Sequence, residues 1–300
     1  MSRREEILAK AAMTPFLPAS LCLAAEVVHD ESVHPANKIR IIGHDPGLTA
    51  NLLRLVNEGR APGERIGSIR QAAALLGTKG TVELLASSGG ATACLRSIDG
   101  YDQTPAMHFK HSLAVGLSAV KLAAALGVEA PENTFTAGLL AGVGKTVLGS
   151  YVNVESEPIL KLAMEEGLSF DRAEREILGV SHAEVGAALL KAWNLPRNVV
   201  DAVDCHLRPE KSPSRSLLLD LVHVGNFVPK MMGVGLGVDG LNYVTCLEAG
   251  KRLNLTAELI DGVSIAVLDS LKALGPLFGE APEELFPETV HEKDDASEIW

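Results

Sequence analysis

The sequence predicts an all-α protein built as two helical lobes, and three observations carry that expectation. Apolar residues make up 47% of the 300-residue chain and are mostly Leu, Ala and Val, while aromatic residues reach only 4%. Leu and Ala favour helices, and the β-branched and aromatic runs that mark strands are scarce. Helix start and stop devices recur at helical spacing, and no stretch shows the period-two alternation of a half-buried strand.

Taken in chain order, Asp45-Pro46 supplies an N-cap and a proline at the first helical position, followed by Leu48, Leu52, Leu55 and Val56 on one face. Ser68 and Gln71 have the spacing of a capping box, and Gly77 is placed to end that helix in a left-handed conformation. The Ser97–Thr104 stretch, with Asp99-Gly100, reads as a connector. Met107 to Leu126 forms a long amphipathic run that Gly127 stops. Ser181 and Glu184 repeat the capping-box spacing before Val185, Ala188, Leu189 and Ala192, with Pro196 beyond the end. Four glycines between Gly233 and Gly240 predict a flexible loop before two last helices. The expected organisation is an N-terminal lobe over 1–96, a second lobe over 105–279, and an acidic, disordered tail over 280–300.

A formal net charge of -11 repels a phosphate backbone, and no Lys/Arg cluster offsets it, so nucleic acid is not an expected partner. No apolar stretch has the length of a membrane span. The charged N-terminus, Met1-Ser2-Arg3-Arg4-Glu5-Glu6, has no apolar signal region behind it, which predicts a cytoplasmic location. Cys22, Cys94, Cys205 and Cys246 are far apart and form no C-x-x-C pair, so buried, reduced thiols are expected.

Several stretches resemble the HDOD family. His44-Asp45-Pro46-Gly47-Leu48-Thr49-Ala50-Asn51-Leu52-Leu53-Arg54-Leu55-Val56-Asn57 is similar to that family's N-terminal signature, Ile66 to Gly77 to its next helix, and Phe16-Leu17-Pro18 to its opening turn. In the second lobe Phe109 to Ala114, Thr136 to Leu140 with Val143-Gly144-Lys145, and Ser181 to Gly186 resemble family motifs in the expected order. The resemblance implies a helical N-terminal lobe packed on a lobe like that of the HD phosphohydrolases, and a role in bacterial signal transduction or regulatory output.

HD phosphohydrolases hold a divalent metal with a histidine, a His-Asp pair and a distant aspartate; the metal acidifies a bound water and stabilises phosphoryl oxygens. The resemblance places the first histidine at His111, the His-Asp pair at Ala141-Gly142 and the distant aspartate at Asn226. Neither Ala141 nor Gly142 has a side-chain donor, and Asn226 carries no charge. The pocket is therefore expected to lack the negative charge that a catalytic dication needs. His182 and His206 match further histidines of two-metal HD proteins; Cys205 adjoins His206, and His223 lies one turn before Asn226. One reading makes His111, His182 and His206 a repurposed ligand set. The other makes them core histidines, because no carboxylate is evident to orient them. His108 and His111 are spaced i, i+3, with one of the two expected to face solvent.

Two decoys carry no function. Ala141-Gly142-Val143-Gly144-Lys145-Thr146 looks like the end of a P-loop, but Leu139 stands where a glycine is required and a helical run leads in. The glycines read instead as close helix packing. Ser181 beside His182 is a cap, and Trp193 fits a core face. The sequence thus predicts a non-catalytic signalling module without a cofactor, binding a signalling protein or a small ligand in the degenerate cleft. The alternative is a residual metal-dependent phosphohydrolase or phosphodiesterase acting on a nucleotide.

Overall fold

The computed structural model describes residues 2–91, 93–240 and 245–278, and the 280–300 tail lies outside the described residues. Among these residues the protein is helical throughout, with no strand and only two isolated bridges, Ala19 with Cys94 and Ile98 with Gln103. Before the connector come α1 (Arg3–Met13) and the helices of the N-terminal lobe, α2 (Cys22–His29), α3 (Pro35–His44), α4 (Pro46–Asn57) and α5 (Ile69–Ser87). The second holds α6 (Pro105–Ala125), α7 (Thr134–Leu139), α8 (Lys145–Val154), α9 (Ser156–Met164), α10 (Phe170–Leu178), α11 (His182–Ala192), α12 (Arg197–Cys205), α13 (Leu217–Met231), α14 (Leu247–Arg252) and α15 (Ala257–Leu274). Helix α1 packs on α11 and α8, so the start of the chain lies against helices that follow far later.

The polar residues of the 44–57 motif explain how the N-terminal lobe holds its loops. Asp45 caps α4 by accepting from the Leu48 N–H at 2.9 Å, and its other oxygen accepts from the Ser20 N–H at 2.8 Å. Asn51 brackets Leu17, accepting from its N–H and donating to its carbonyl, both at 2.8 Å, and also donates to the Gly90 carbonyl at 2.6 Å. Asn57 does the same for Ile66, at 2.7 and 2.8 Å. All three are fully buried, and each satisfies loop backbone that would otherwise be buried unpaired. Gly47 is required because a Cβ there would overlap the Pro18 carbonyl.

In the second lobe α6 is the central rod, flanked by α13, α7 and α15. Glycines set those approaches: Gly138 lies against the backbone of Gly116, and Gly225 against that of Ala119. Gly144 meets the His182 carbonyl so closely that any Cβ would overlap it, which is the close helix packing expected of that glycine cluster. The capping box of Ser181 and Glu184 forms in full.

Three local expectations are corrected. Ser68 does accept from the Gln71 N–H, but the Gln71 amide oxygen reaches the N–H of Gly67, one residue before the cap, so the box is incomplete. Gly77 has a positive φ of 72° with an extended ψ of 159°, and a second helical stretch continues to Ser87, so the residue kinks the path instead of ending it. The Gly233–Gly240 loop is packed down: Gln103 donates to the Gly235 carbonyl at 3.0 Å, Val238 donates to the Tyr101 carbonyl at 3.0 Å, and Asp239 is buried. The glycines there permit contact with α6 and the connector instead of supplying freedom.

Candidate functional site: a buried charge cluster

The residues aligned with the HD metal site converge on the inner end of α6, and the cluster is closed from solvent. His108 and His111 are both buried, contrary to the expectation that one faces outward, because the packed Gly233–Gly240 loop covers the side of α6 that would have been open. His111 Nδ1 donates to the Val234 carbonyl of that loop at 3.1 Å. Ala141 is buried in the turn after α7, and Gly142 faces the His108 ring. Asn226 is buried on α13, and its side-chain nitrogen has no hydrogen-bond partner among the described residues.

The centre of the cluster is a charge pair that the sequence did not reveal. Lys145, the first residue of α8, places Nζ 2.7 Å from Asp239 Oδ2, with the side chains only 5% and 1% exposed. The same ammonium lies 5.2 Å from the centre of the Tyr101 ring. Burial alone would raise the Asp239 pKa, but Lys145 and Lys230 hold it below the ordinary carboxylate range. Burial, reinforced by the Lys145 charge, drives His108 and His111 down to about 3, so both rings are neutral at neutral pH. Burial likewise takes Lys230 well below the usual lysine value.

A second node adjoins the first. Glu174 on α10, fully buried, accepts from the Tyr101 hydroxyl at 2.6 Å, from the His182 N–H at 2.9 Å, and from His182 Nδ1 at 3.0 Å. The phenol is held well above its usual pKa by burial and by the Glu174 charge. The His182 and His206 rings stand 5.9 Å apart, and His206 Nδ1 donates to the Val203 carbonyl at 2.7 Å. Asp171 accepts from Arg175 at 3.0 Å and pairs with Arg208 at 3.2 Å.

Two expectations therefore change. The pocket is not stripped of negative charge: Asp239 and Glu174 are present, but come from positions that the HD alignment does not indicate. The orienting carboxylate that seemed missing is Glu174, which holds His182. A catalytic dication nevertheless does not fit. The positions that would anchor it hold Ala141, Gly142 and Asn226, and Asp239, the carboxylate whose charge acts on His108 and His111, is already paired with the lysine ammonium. Among the described residues, no three His, Cys, Asp or Glu side chains are arranged to hold a metal ion.

The remaining residues lie around this centre. Cys205 is buried, with its thiol pushed up to about 11 by burial and by Asp204. His223 ties two helix ends together: Nδ1 donates to the His206 carbonyl at 2.7 Å and Nε2 accepts from the Cys246 N–H at 3.0 Å. Beside it a cavity of about 590 Å³ opens between α13, α14 and α15, lined by Phe227, Met231, Leu247, Leu255 and Ile260, among others. Met231 and Leu247 at its rim are 68% and 75% exposed. The expectation of buried thiols holds for Cys205 alone; Cys22 is exposed, and Cys94 and Cys246 are half-buried.

Sequence reasoning missed Tyr101, Glu174, Lys230 and Asp239 and gave Lys145 no role. Glu174 left a readable trace, since it shares the core-facing stripe of α10 with Phe170, Ala173 and Leu178. A carboxylate on an apolar stripe asks for a partner. Asp239, inside a glycine-rich loop, left none.

A helical lobe with a lysine-filled centre, joined to a smaller helical lobe stitched by buried Asp and Asn, defines a two-lobed all-α class. A family model described as the HDOD domain matches residues 14–209, and the chain belongs to the HDOD family. An uncharacterized protein of Treponema pallidum (strain Nichols) is 27% identical over 194 residues, covering 64% of this chain and 37% of that protein. The chain thus spans little more than a third of that relative's length. The fold is similar to the MmoQ response regulator of Methylococcus capsulatus str. Bath, with 20% identity, TM-score 0.59, and 84% and 99% of the two chains covered. It is also similar to a virulence factor of Campylobacter jejuni subsp. jejuni, with 17% identity, TM-score 0.56, and 91% and 90% covered.

Proposed function

We propose that this protein is a non-catalytic signalling module that acts by binding another signalling protein. The observation that carries the reading is the Lys145–Asp239 pair: an ammonium pairs with the carboxylate whose charge acts on His108 and His111, where a catalytic site would need a dication and its activated water. Family membership and the similarity to a protein described as a response regulator support a role in signalling. Because the cluster is buried and internally paired, it offers a small ligand little room, and binding belongs on the surface. The apolar cavity between α13, α14 and α15, with Met231 and Leu247 at its rim, suits the apolar face of a partner helix.

The test has two arms. Purified protein is assayed for transition metal and for turnover of a phosphodiester panel with added manganese; neither stoichiometric metal nor turnover is expected. A partner captured from the native cytoplasm is expected to bind the intact chain and to lose affinity at least tenfold with Leu247→Asp.

A second reading, a residual metal-dependent phosphohydrolase, draws on one feature. His111 and His206 each donate through Nδ1 to a backbone carbonyl, which in the neutral ring leaves Nε2 as the nitrogen that a metal would take. Turnover that His111→Ala abolishes would establish that reading and reject the first.

A further inference from the structure

The pair of thiols at the start of the interlobe connector belongs to neither the buried cluster nor the apolar cavity. Ala19 and Cys94 form a parallel bridge, with the Ala19 N–H donating to the Ala93 carbonyl and the Leu95 N–H to the Ala19 carbonyl, both at 2.8 Å. Chain segments paired in this way run about 5 Å apart, which sets Cys94 beside Ala19. Three residues after Ala19 the chain turns into α2, whose first residue is Cys22. Cys22 is exposed and Cys94 half-buried. The Cys94 thiol is pushed up to about 11, by burial first and then by the adjacent Cys22 thiol. The bridge at Ala19, three residues before Cys22, thus brings the two cysteines together although 71 residues separate them in the sequence.

From this juxtaposition we propose that Cys22 and Cys94 are a peroxide-responsive dithiol whose disulfide fastens the connector to the N-terminus of α2. Exposed Cys22 meets the oxidant first. Its thiolate attacks one peroxide oxygen, the O–O bond breaks, and hydroxide leaves, giving a sulfenic acid. The Cys94 sulfur then attacks the Cys22 sulfur, the S–S bond forms, and a second hydroxide is displaced. The two thiol protons join the two hydroxides as two waters, so two thiols are oxidised and one peroxide is reduced. A dithiol reductant reverses the step by exchange. Cys205 is unsuited to meet the oxidant because it is buried, where Cys22 is exposed.

The bond would act on the path between the lobes. Cys94 leads into the Ile98–Gln103 turn, and that turn carries Tyr101 into the buried cluster, where it donates to Glu174. Fixing Cys94 to α2 restrains the one covalent route from the N-terminal lobe to that cluster.

The experiment treats the reduced full-length chain with a small molar excess of hydrogen peroxide and reads intact mass, non-reducing peptide maps and backbone hydrogen exchange. The expected product is lighter by two hydrogens, carries one cross-link joining the Cys22 and Cys94 peptides, and reverts with dithiothreitol. Its hydrogen exchange over residues 93–104 slows at least threefold relative to the reduced chain. Cys22→Ser, a change at an exposed position, should abolish the product, and the Cys205→Ser/Cys246→Ser double variant should retain it. Oxidation of Cys22 to sulfinic acid with no cross-link, or a cross-link through Cys205 or Cys246, would overturn the assignment. An unchanged exchange rate in the connector despite full cross-linking would overturn its role there.

Discussion

The two lobes use their motif polar residues differently. In the N-terminal lobe Asp45, Asn51 and Asn57 bond to backbone groups of Ser20, Leu17, Gly90 and Ile66. In the second lobe Lys145, Asp239, Glu174, Tyr101 and His182 bond largely to one another through side chains drawn from the connector, three helices and a loop. The first arrangement is modular, since each amide closes its own loop. The second is collective: each charge is tolerable in a dry interior only while its partner stands opposite.

This contrast is sharpest in what single substitutions do. Asp239→Ala leaves the Lys145 ammonium buried without its counter-charge and is expected to cost about 3–5 kcal/mol, read as a lower urea midpoint. The Lys145→Met/Asp239→Leu double variant removes both charges together and should recover most of that loss. A double variant as unstable as Asp239→Ala would show that the cluster is not collective.

The glycines at the two motifs come next. Gly47→Ala and Gly144→Ala each push a methyl into a backbone carbonyl, of Pro18 and of His182, and should each cost on the order of 3 kcal/mol. If Gly144→Ala is silent, the tight crossing of α8 and α11 is not required.

Asn51→Ala removes three hydrogen bonds to buried backbone and is expected to cost about 2–3 kcal/mol. Hydrogen exchange should rise near Leu17 and Gly90 while the second lobe stays protected, as modularity requires.

The smallest effect, per pH unit, is titration, and its sign differs between the buried histidines and Asp45. His108 and His111 fall to about 3 in the folded protein, against a normal value of 6.5. Between those values the unfolded chain binds more protons, so their contribution is complete above pH 6.5 and is lost as pH falls toward 3. Each accounts for up to about 1.4 kcal/mol per pH unit across that window. Asp45 is displaced upward to about 6, by burial against its backbone hydrogen bonds, so its contribution is present below about pH 4 and is lost as pH rises through 6. His44, His206 and His223 are lowered as well, so the histidines outweigh Asp45, and unfolding midpoints should fall on acidification from pH 6.5. His111→Gln should flatten that slope by close to one proton, and an unchanged slope would remove His111 from the account.

Much of this was legible in the sequence. The helical class, the caps at Asp45 and Ser181, the stop at Gly127, the connector around Asp99-Gly100, and the close-packing glycines all depend on residues within about one helical turn or on a contiguous motif. The readings that failed share one feature, in that a distant segment supplies the deciding neighbour. One of His108 and His111 is expected at the surface because α6 by itself cannot show that a loop more than a hundred residues later lies across it. The pocket was expected to lack negative charge because Asp239 comes from that same loop, outside every motif.

What the sequence by itself determined, then, is everything governed by local backbone geometry and by the apolar periodicity of single helices. Only the tertiary structure decided which buried charges meet. Capping and amphipathicity are satisfied within one element, whereas the stability of a buried ammonium or carboxylate depends on the separation and dielectric between groups far apart along the chain. Those quantities come into existence only when α6, α8, α10, α11 and the 233–240 loop have packed around a common centre.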